Sequence, residues 1–228
     1  MPKHEKCLVV DVETAGGFNS PLVYDMGLAV VERTTGRIID SWSLIVADVF
    51  CNMPEQMATA YYSTKVPEYR IGLATGEFRL VTMWQIWRLI RNITAKYDLR
   101  RAYAYNAKFD QNALNNTFRI LTEGEGKFFF PKEIEWCCIW HMACQTILSS
   151  KAYIWFAVEN GLMTEKGNIR TSAECAYAYL IGQPDYEEPH TGLEDVRIEI
   201  EILHRILRQK KRVDESIAHN PWQLPQTA

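Results

Sequence analysis

Several features that mark other protein classes are missing from this chain of 228 residues. No apolar run approaches the roughly twenty residues that a membrane-spanning helix needs, so we expect no membrane association. The six cysteines lack both Cys-x-x-Cys pairs and the mixed Cys/His spacing of zinc sites. The chain shows no internal repeat and no low-complexity linker, and its length suits one domain with a sizeable core.

Basic residues are not in excess either. The chain has 25 lysines and arginines against 28 aspartates and glutamates, which gives a formal net charge of −3 at pH 7. A protein that wraps around a nucleic-acid duplex usually carries a strong basic surplus. Its absence argues against extensive phosphate contacts and leaves only local basic patches open.

The cysteines and the N-terminus bear on the cellular compartment. Most cysteines sit in apolar runs and are expected to be buried thiols, which favours a reducing environment. The apolar run that follows Lys6 is too short for a signal peptide. We therefore expect a cytoplasmic protein.

What the chain does contain is a set of acidic residues in distinctive contexts, and the first pair lies near the N-terminus. Asp11 and Glu13 follow a short β-rich run and should project to one face from the end of a strand over Cys7–Asp11. Two adjacent carboxylates repel each other unless a cation lies between them, and their oxygens suit Mg²⁺ or Mn²⁺. The alternative is a solvated strand end.

A second acidic position lies at a predicted strand-to-helix junction. Arg101–Tyr105 has the composition of a buried strand, Asn106 is a favourable N-cap residue, and Ala107–Ile120 has helical composition. Asp110 therefore falls in the first turn of the helix. The alternative is that its charge only complements the helix dipole.

The third block opens the last long helix, predicted over Leu193–Gln209 with an amphipathic apolar spacing. Asp195 lies near its start and His190 five residues earlier. Pro189 and Gly192 interrupt regular structure, so we expect His190 to lie on a mobile segment and to be poorly ordered, or turned out, without metal and nucleotide.

Together the three blocks resemble the DEDDh 3′–5′ exonucleases, the family of the proofreading subunit of bacterial DNA polymerase III, ribonuclease T and oligoribonuclease. The motifs D-x-E-T, N-x-x-F-D and H-x-x-x-x-D are matched by Asp11, Glu13 and Thr14, by Asn106, Phe109 and Asp110, and by His190 and Asp195. A sister branch has tyrosine four residues before the last aspartate, where this chain has Thr191. The resemblance spans Leu8 to Arg208.

The resemblance implies a ribonuclease H-like fold and a two-metal site. Two Mg²⁺ or Mn²⁺ ions would be held by Asp11, Glu13, Asp110 and Asp195, with His190 as general base. The implied reaction releases nucleoside 5′-monophosphates from single-stranded 3′ ends. Thr14, Phe18, Asn106 and Phe109 are the implied substrate-binding residues.

The chain departs from the family pattern at two places. The loop after Thr14 has the sequence Ala-Gly-Gly-Phe, so either Phe18 is a displaced wedge between terminal bases or the loop holds the substrate differently. Gly192 stands where the family usually has alanine, and we expect it to loosen the loop. The compact form with a long insertion is also similar to free-standing phage or prophage exonucleases.

The order of elements predicts an α/β fold, with a mixed sheet flanked by α-helices. A three-strand meander (Cys7–Asp11, Tyr24–Glu32, Ile38–Val46) precedes alternating strands and helices. We expect an exonuclease domain over 1–212, with a long insertion at about 48–80, and an irregular C-terminal extension over 213–228.

Two segments near these blocks allow more than one interpretation. The insertion interleaves aromatic and basic residues (Tyr61, Tyr62, Lys65, Tyr69, Arg70), which either pack over the sheet edge, as we favour for most of the aromatics, or stack bases. Asp185, Glu187 and Glu188 form a solvated loop or raise the pKa of His190.

Three functions stay open. A DNA exonuclease acting on single strands or frayed ends is our first hypothesis, and the same catalyst acting on RNA ends or short oligoribonucleotides is the second. A non-catalytic nucleic-acid-binding scaffold is the third, and the complete five-residue set argues against it. No polymerase domain is attached, so a replication or repair role would need a partner. The oligomeric state is not predicted.

Overall fold

The computed structural model of the protein describes residues 5–17, 20–209 and 211–227. In this part of the chain one mixed β-sheet organises the fold. Its strands are β1 (Lys6–Ala15), β2 (Leu22–Glu32), β3 (Ile38–Val46), β4 (Arg79–Val81), β5 (Arg101–Ala104) and β6 (Glu135–Cys138), in the order β4-β3-β2-β1-β5-β6. The first three strands pair antiparallel, and the other pairings are parallel.

Helices cover both faces of the sheet, so the predicted mixed sheet with flanking helices is confirmed. The α-helices are α1 (Ala47–Phe50), α2 (Pro54–Met57), α3 (Val66–Thr75), α4 (Met83–Tyr97), α5 (Ala107–Leu121), α6 (Ile139–Gln145), α7 (Lys151–Glu159), α8 (Ala173–Ile181) and α9 (Gly192–Leu207). Two 3₁₀ helices span Ser63–Lys65 and Pro221–Thr227.

The alternation of side chains along β1 decides which face carries the acidic pair. Leu8 and Val10 join the apolar cluster under α4 and α5, whereas Cys7 and Val9 join the cluster under α6, α7, α8 and α9. Because side chains two apart share a face, Asp11 and Glu13 point to the side of α9.

The sequence predicted Asp11 and Glu13 at the end of the strand, but both lie inside β1. The strand continues to Ala15, which pairs with Leu22, because the antiparallel ladder with β2 extends past the acidic pair. A register shift between Glu13 and Thr14 marks a β-bulge, a feature that often lies beside active sites and re-aims side chains.

The segments without clear periodicity differ most from expectation. The insertion contains α1, α2, a 3₁₀ helix and α3 and ends in β4, none of which the sequence predicted. Residues 213–227 are anchored to the domain: the Cys138 amide donates to the Glu215 carbonyl at 2.8 Å, and Tyr103 donates to the Glu215 carboxylate. The boundary at residue 212 stays a prediction.

The cysteines agree with the expectation that most of them are buried thiols. All six cysteines are free thiols, five of them buried and Cys51 exposed. Among the residues described, no helix is both long and apolar enough to cross a membrane.

Candidate active site

An open pocket of about 450 Å³ lies where β1, α5 and the approach to α9 meet. All five residues predicted to be catalytic line it: Asp11, Glu13, Asp110, His190 and Asp195. Asn106 and Phe109, two of the predicted substrate-binding residues, line it as well. Thr14 is not among the described lining residues, and Phe18 lies outside the described residues.

Asp110 reaches the pocket from the first turn of α5, as predicted. Asn106 occupies the N-cap position of this helix, but its side chain makes no capping hydrogen bond. The amide is exposed at the pocket instead. Asn106 is therefore available to a ligand, and the predicted capping role of its side chain is wrong.

A close backbone contact fixes the start of α9. A Cβ atom added to Gly27 would lie 2.1 Å from the carbonyl oxygen of Gly192, and one added to Gly192 would lie 2.5 Å from the Gly27 amide nitrogen. The Gly192 amide also donates to Asp25 at 2.9 Å. The expectation that Gly192 loosens the loop is wrong, because here glycine lets the helix start lie directly on β2.

The ionised forms of the four predicted metal ligands are energetically unfavourable in this pocket. Burial, followed by the charge of neighbouring carboxylates, raises the pKa of Asp11 far above its usual range and that of Glu13 to about 9. Burial also raises the pKa values of Asp110 and Asp195 to about 7. Such shifts mean that the pocket lacks positive charge to match its carboxylates.

Two further acidic residues line the pocket, and the sequence motifs did not identify either of them as a site residue. Glu199 lies one helical turn after Asp195, is buried, and accepts a hydrogen bond from the Tyr105 amide at 2.8 Å. Glu188 is half-buried, and burial followed by the charge of Asp195 raises its pKa to about 8. The signal for Glu199 was present, because it falls on the otherwise apolar face of α9.

His190 faces the pocket. Its ring stacks on that of Tyr62, with centroids 4.0 Å apart and planes 16° from parallel. One ligand atom of His190 lies within 4.8 Å of those of Glu13 and Asp195. The expectation that the histidine is turned out is therefore wrong in this structure. The stacked tyrosine, which comes from the insertion, supplies the support that local sequence did not suggest.

The pKa of His190 is lowered below its ordinary value of 6.5, chiefly because the ring is partly buried and secondly because Lys65 is near. Glu174 and Glu187 act in the opposite direction but do not prevail. The hypothesis that the acidic segment before it raises this pKa is therefore wrong. A neutral imidazole, able to accept a proton, is favoured at pH 7.

The insertion also holds the backbone around His190. Lys65 donates from Nζ to the Pro189 carbonyl oxygen. Tyr69, which is fully buried, donates from its hydroxyl to Asp25 at 2.8 Å and lies 3.4 Å from the His190 carbonyl oxygen. Tyr61, in contrast, is 79% exposed. The aromatic residues of the insertion thus divide between core packing, support of the histidine and open surface.

The donor set fits divalent cations. Asp195 Oδ1 and Glu199 Oε2 are buried and have no hydrogen-bond partner among the residues described. No lysine or arginine is among the described residues lining the pocket, which has six carboxylates. Carboxylate oxygens are the donors that Mg²⁺ and Mn²⁺ prefer. A second set of donors, from Glu174, Glu188 and His190, overlaps the first at the histidine.

The chain matches no protein-family model and no curated protein. Among solved structures it is similar to a 3′-exonuclease that recognises the 3′ end of a histone mRNA stem-loop, with a TM-score of 0.57 and 12% identity over 97% of this chain and 90% of that one. It is also similar to a full-length 3′-exonuclease, with a TM-score of 0.55 and 13% identity over 96% and 89% of the two chains.

A third similar structure is Escherichia coli ExoI in complex with single-stranded DNA, with a TM-score of 0.55 and 11% identity. The match covers 92% of this chain but only 42% of that one. At such identities the likeness establishes the architecture alone. The chain therefore has the ribonuclease H-like fold on which these 3′-exonucleases are built.

Proposed function

We propose that the protein is a metal-dependent 3′–5′ exonuclease of the DEDDh type that releases nucleoside 5′-monophosphates from single-stranded 3′ ends. The observation that carries this proposal is the convergence of three distant sequence blocks on one acidic pocket. Asp11, Asp110 and Asp195 are separated by most of the chain, yet they line the same cavity. The similar fold of several 3′-exonucleases supports the same conclusion.

Asp11, Glu13, Asp110 and Asp195 would hold two Mg²⁺ or Mn²⁺ ions. Such ions, when bound, neutralise the charge of the scissile phosphate and make a water molecule more acidic. The carboxylates themselves would hold these ions at fixed positions in the pocket. The second carboxylate oxygen of Glu199 is buried and has no hydrogen-bond partner among the described residues. Glu199 would therefore lie behind the four metal ligands and support them.

His190 would accept the proton of the attacking water as general base. Its lowered pKa keeps the ring neutral at pH 7, and its stacking on Tyr62 restricts the ring to one plane. The hydrogen bond from Lys65 to the Pro189 carbonyl restrains the backbone next to it. The histidine would therefore be held in place before substrate binds.

The terminal nucleotide would lie against α5. Phe109 is half-buried at the pocket and offers a ring on which the last base can stack, while the Asn106 amide can donate to sugar or phosphate oxygens. Thr14 and Phe18 stay predicted substrate contacts. These features suit DNA and RNA alike, so single-stranded DNA is our first candidate and RNA 3′ ends are the second. A phage or prophage origin and a replication or repair partner also stay predictions.

The test is degradation of labelled single-stranded DNA, duplex DNA and RNA with Mg²⁺, with Mn²⁺ and with a chelator. Asp11→Asn should remove activity, whereas Asp185→Asn, an exposed acid that does not line the pocket, should retain it. Binding without hydrolysis under every metal condition would instead support a non-catalytic scaffold. Equal activity of Asp11→Asn and the unaltered protein would refute the metal assignment.

A further inference from the structure

A larger cavity adjoins the candidate active site. It has a volume of about 720 Å³ and lies between the segment 164–172 and the C-terminal 3₁₀ helix. Trp140, Thr171 and Ser172 line both this cavity and the acidic pocket. The two spaces therefore adjoin along a shared wall; together we call them the groove, with the carboxylates at one end.

Aromatic side chains line the groove beyond the acidic pocket. Trp140 stands at the junction, where its indole nitrogen donates to the Thr171 hydroxyl at 3.0 Å and so fixes the ring. Trp222, half-buried, lines the far part. Rings held at intervals along an open groove are a common platform for the successive bases of a single strand.

The C-terminal segment that carries Trp222 is attached to the wall of the groove. Gln226 forms two hydrogen bonds with the backbone of Ile169, accepting from its amide at 2.9 Å and donating to its carbonyl at 3.1 Å. Gln226 also donates to the Trp222 carbonyl at 3.0 Å. These bonds attach the backbone at Trp222 to the segment at Ile169, so the C-terminal segment helps to form the groove.

The charge of the lining changes along the groove. The acidic pocket has six carboxylates, where a phosphate would be repelled unless cations are present. Among the described residues that line the larger cavity, there are two basic residues, Lys166 and Arg170, and one acid, Glu165. Both basic side chains belong to exposed residues, and neither forms a salt bridge within the described part of the chain. Positive charge is therefore available where a phosphate backbone would leave the pocket.

We infer that this groove binds the single strand that continues from the nucleotide in the acidic pocket. Trp140 and Trp222 would stack its bases, and Lys166 and Arg170 would contact its phosphates. The inference rests on the proposed function, and it names the occupant as single-stranded nucleic acid. Both kinds of contact are common to DNA and RNA, so oligo(dT) and oligo(U) serve as the two probes.

The first test measures binding of fluorescent oligo(dT) and oligo(U) of about eight nucleotides, a length within the range of single-strand binding sites. Fluorescence anisotropy in a His190→Ala background with Mg²⁺ keeps the cations in the pocket and slows hydrolysis of the probe. Trp222→Ala should weaken binding roughly tenfold, since one base–aromatic stack contributes about that much, and Trp222→Phe should restore most of it. Trp155→Ala, which removes a 66% exposed indole on α7, is the matched control and should bind normally.

The second test uses the basic residues, whose exposed side chains can be removed with little risk to folding. The double variant Lys166→Ala, Arg170→Ala should bind more weakly and lower the slope of log affinity against log salt by about 0.7 per lost phosphate contact. An unchanged affinity and salt slope in this variant, together with unchanged binding by Trp222→Ala, would overturn the inference.

Hydrolysis of the p-nitrophenyl ester of thymidine 5′-monophosphate separates this inference from the proposed function. The ester is too small to reach the groove, so all groove variants should cleave it like the unaltered protein. They should show a raised KM only on oligonucleotides. If the unaltered protein cleaves the ester and the groove variants also match it on oligonucleotides, the inference about the groove is wrong. The proposed active site is then still supported. If the unaltered protein cleaves neither substrate, the proposed function fails.

Discussion

At the scale of single residues, the acidic side chains of the pocket reduce the stability of the folded protein. Burial and mutual repulsion raise their pKa values, so each carboxylate in its ionised form destabilises the folded chain when no cation is bound. Residues that serve only stability would not be arranged in this way. A trade of stability for function is the expected signature of an active site.

Asp195→Asn should make the protein more stable in the absence of metal and inactive in its presence. The amide removes a buried charge without changing shape, and each kcal/mol gained should raise the Tm by about 2–4 °C in a chain of this size. Thermal unfolding with a chelator measures the gain. Glu194→Gln, a more exposed neighbour on the same helix turn, is the control and should change neither property. A lower Tm for Asp195→Asn would contradict the prediction.

His190→Ala should lower the rate by about 10²–10⁴-fold, the usual contribution of general acid–base catalysis. Because only the neutral imidazole accepts a proton and its pKa lies below 6.5, the rate of the unaltered protein should fall as pH drops through a value below 6.5. The pH–rate profile at saturating metal measures both effects. An alanine variant that keeps this acidic limb would remove His190 from the mechanism.

The five motif residues could be predicted from the sequence because their local contexts are specific. Glu199 and Tyr62 could not be found in that way. Glu199 resembles any helix glutamate until its position on the buried face of α9 is recognised, and Tyr62 meets His190 across 128 positions of the chain only through folding. The direction of the His190 pKa shift depends on the same long-range contact.

At the scale of elements, the insertion is more than a cover for the sheet edge. The 3₁₀ helix at Ser63–Lys65 and α3 bring Tyr62, Lys65 and Tyr69 to the segment that carries His190. These contacts explain why a histidine beside proline, with a φ of 51°, keeps a defined orientation. The insertion therefore acts as a positioning element for the general base.

Tyr62→Ala should lower kcat more than it raises KM, because the imidazole loses its stacking partner while the metal ligands stay in place. It should also move the acidic limb of the pH–rate profile upward, since a more exposed ring regains an ordinary pKa. Tyr61→Ala removes the exposed neighbouring ring and should leave both measurements unchanged. If the two variants behave alike, the positioning role is wrong.

Elements with strong periodicity were predictable: β3 matches its predicted bounds, and α9 begins one residue before and ends two residues before its predicted range. The insertion was not, because α1 and α2 have four residues each and depend on tertiary contacts and not on local propensity. The close contact of Gly27 with Gly192 was equally hidden. Each glycine alone suggests flexibility, and only their pairing across 165 positions shows that they permit close packing.

At the scale of the whole molecule, the carboxylate cluster couples stability to pH and to metal. The folded-state pKa values of Glu13, Glu188 and Asp195 are raised above their unfolded values, so folding favours the protonated forms. Their stabilising contribution is present below the unfolded pKa values, near 4, and is lost as pH rises through about 7 to 9. Without metal, the protein should therefore become less stable across this range.

Divalent ions should reverse this trend. Ionised carboxylates bind cations, so the rise in Tm on adding Mg²⁺ or Mn²⁺ should be larger at about pH 8 than at about pH 6. Thermal unfolding at both pH values, with metal and with chelator, measures the difference. A Tm that does not respond to either ion at the higher pH would show that the cluster holds no such metal.

The most direct measurement compares three single-stranded substrates, one with a 3′-hydroxyl end, one with a 3′-phosphate and one circular, in the presence of Mn²⁺. A pocket that admits one strand end and activates water at the last phosphate should release single nucleoside 5′-monophosphates from the 3′-hydroxyl substrate. The 3′-phosphate should resist and the circle should stay intact. Cleavage of the circle, or release of nucleotides from the 5′ end, would contradict a 3′–5′ exonuclease.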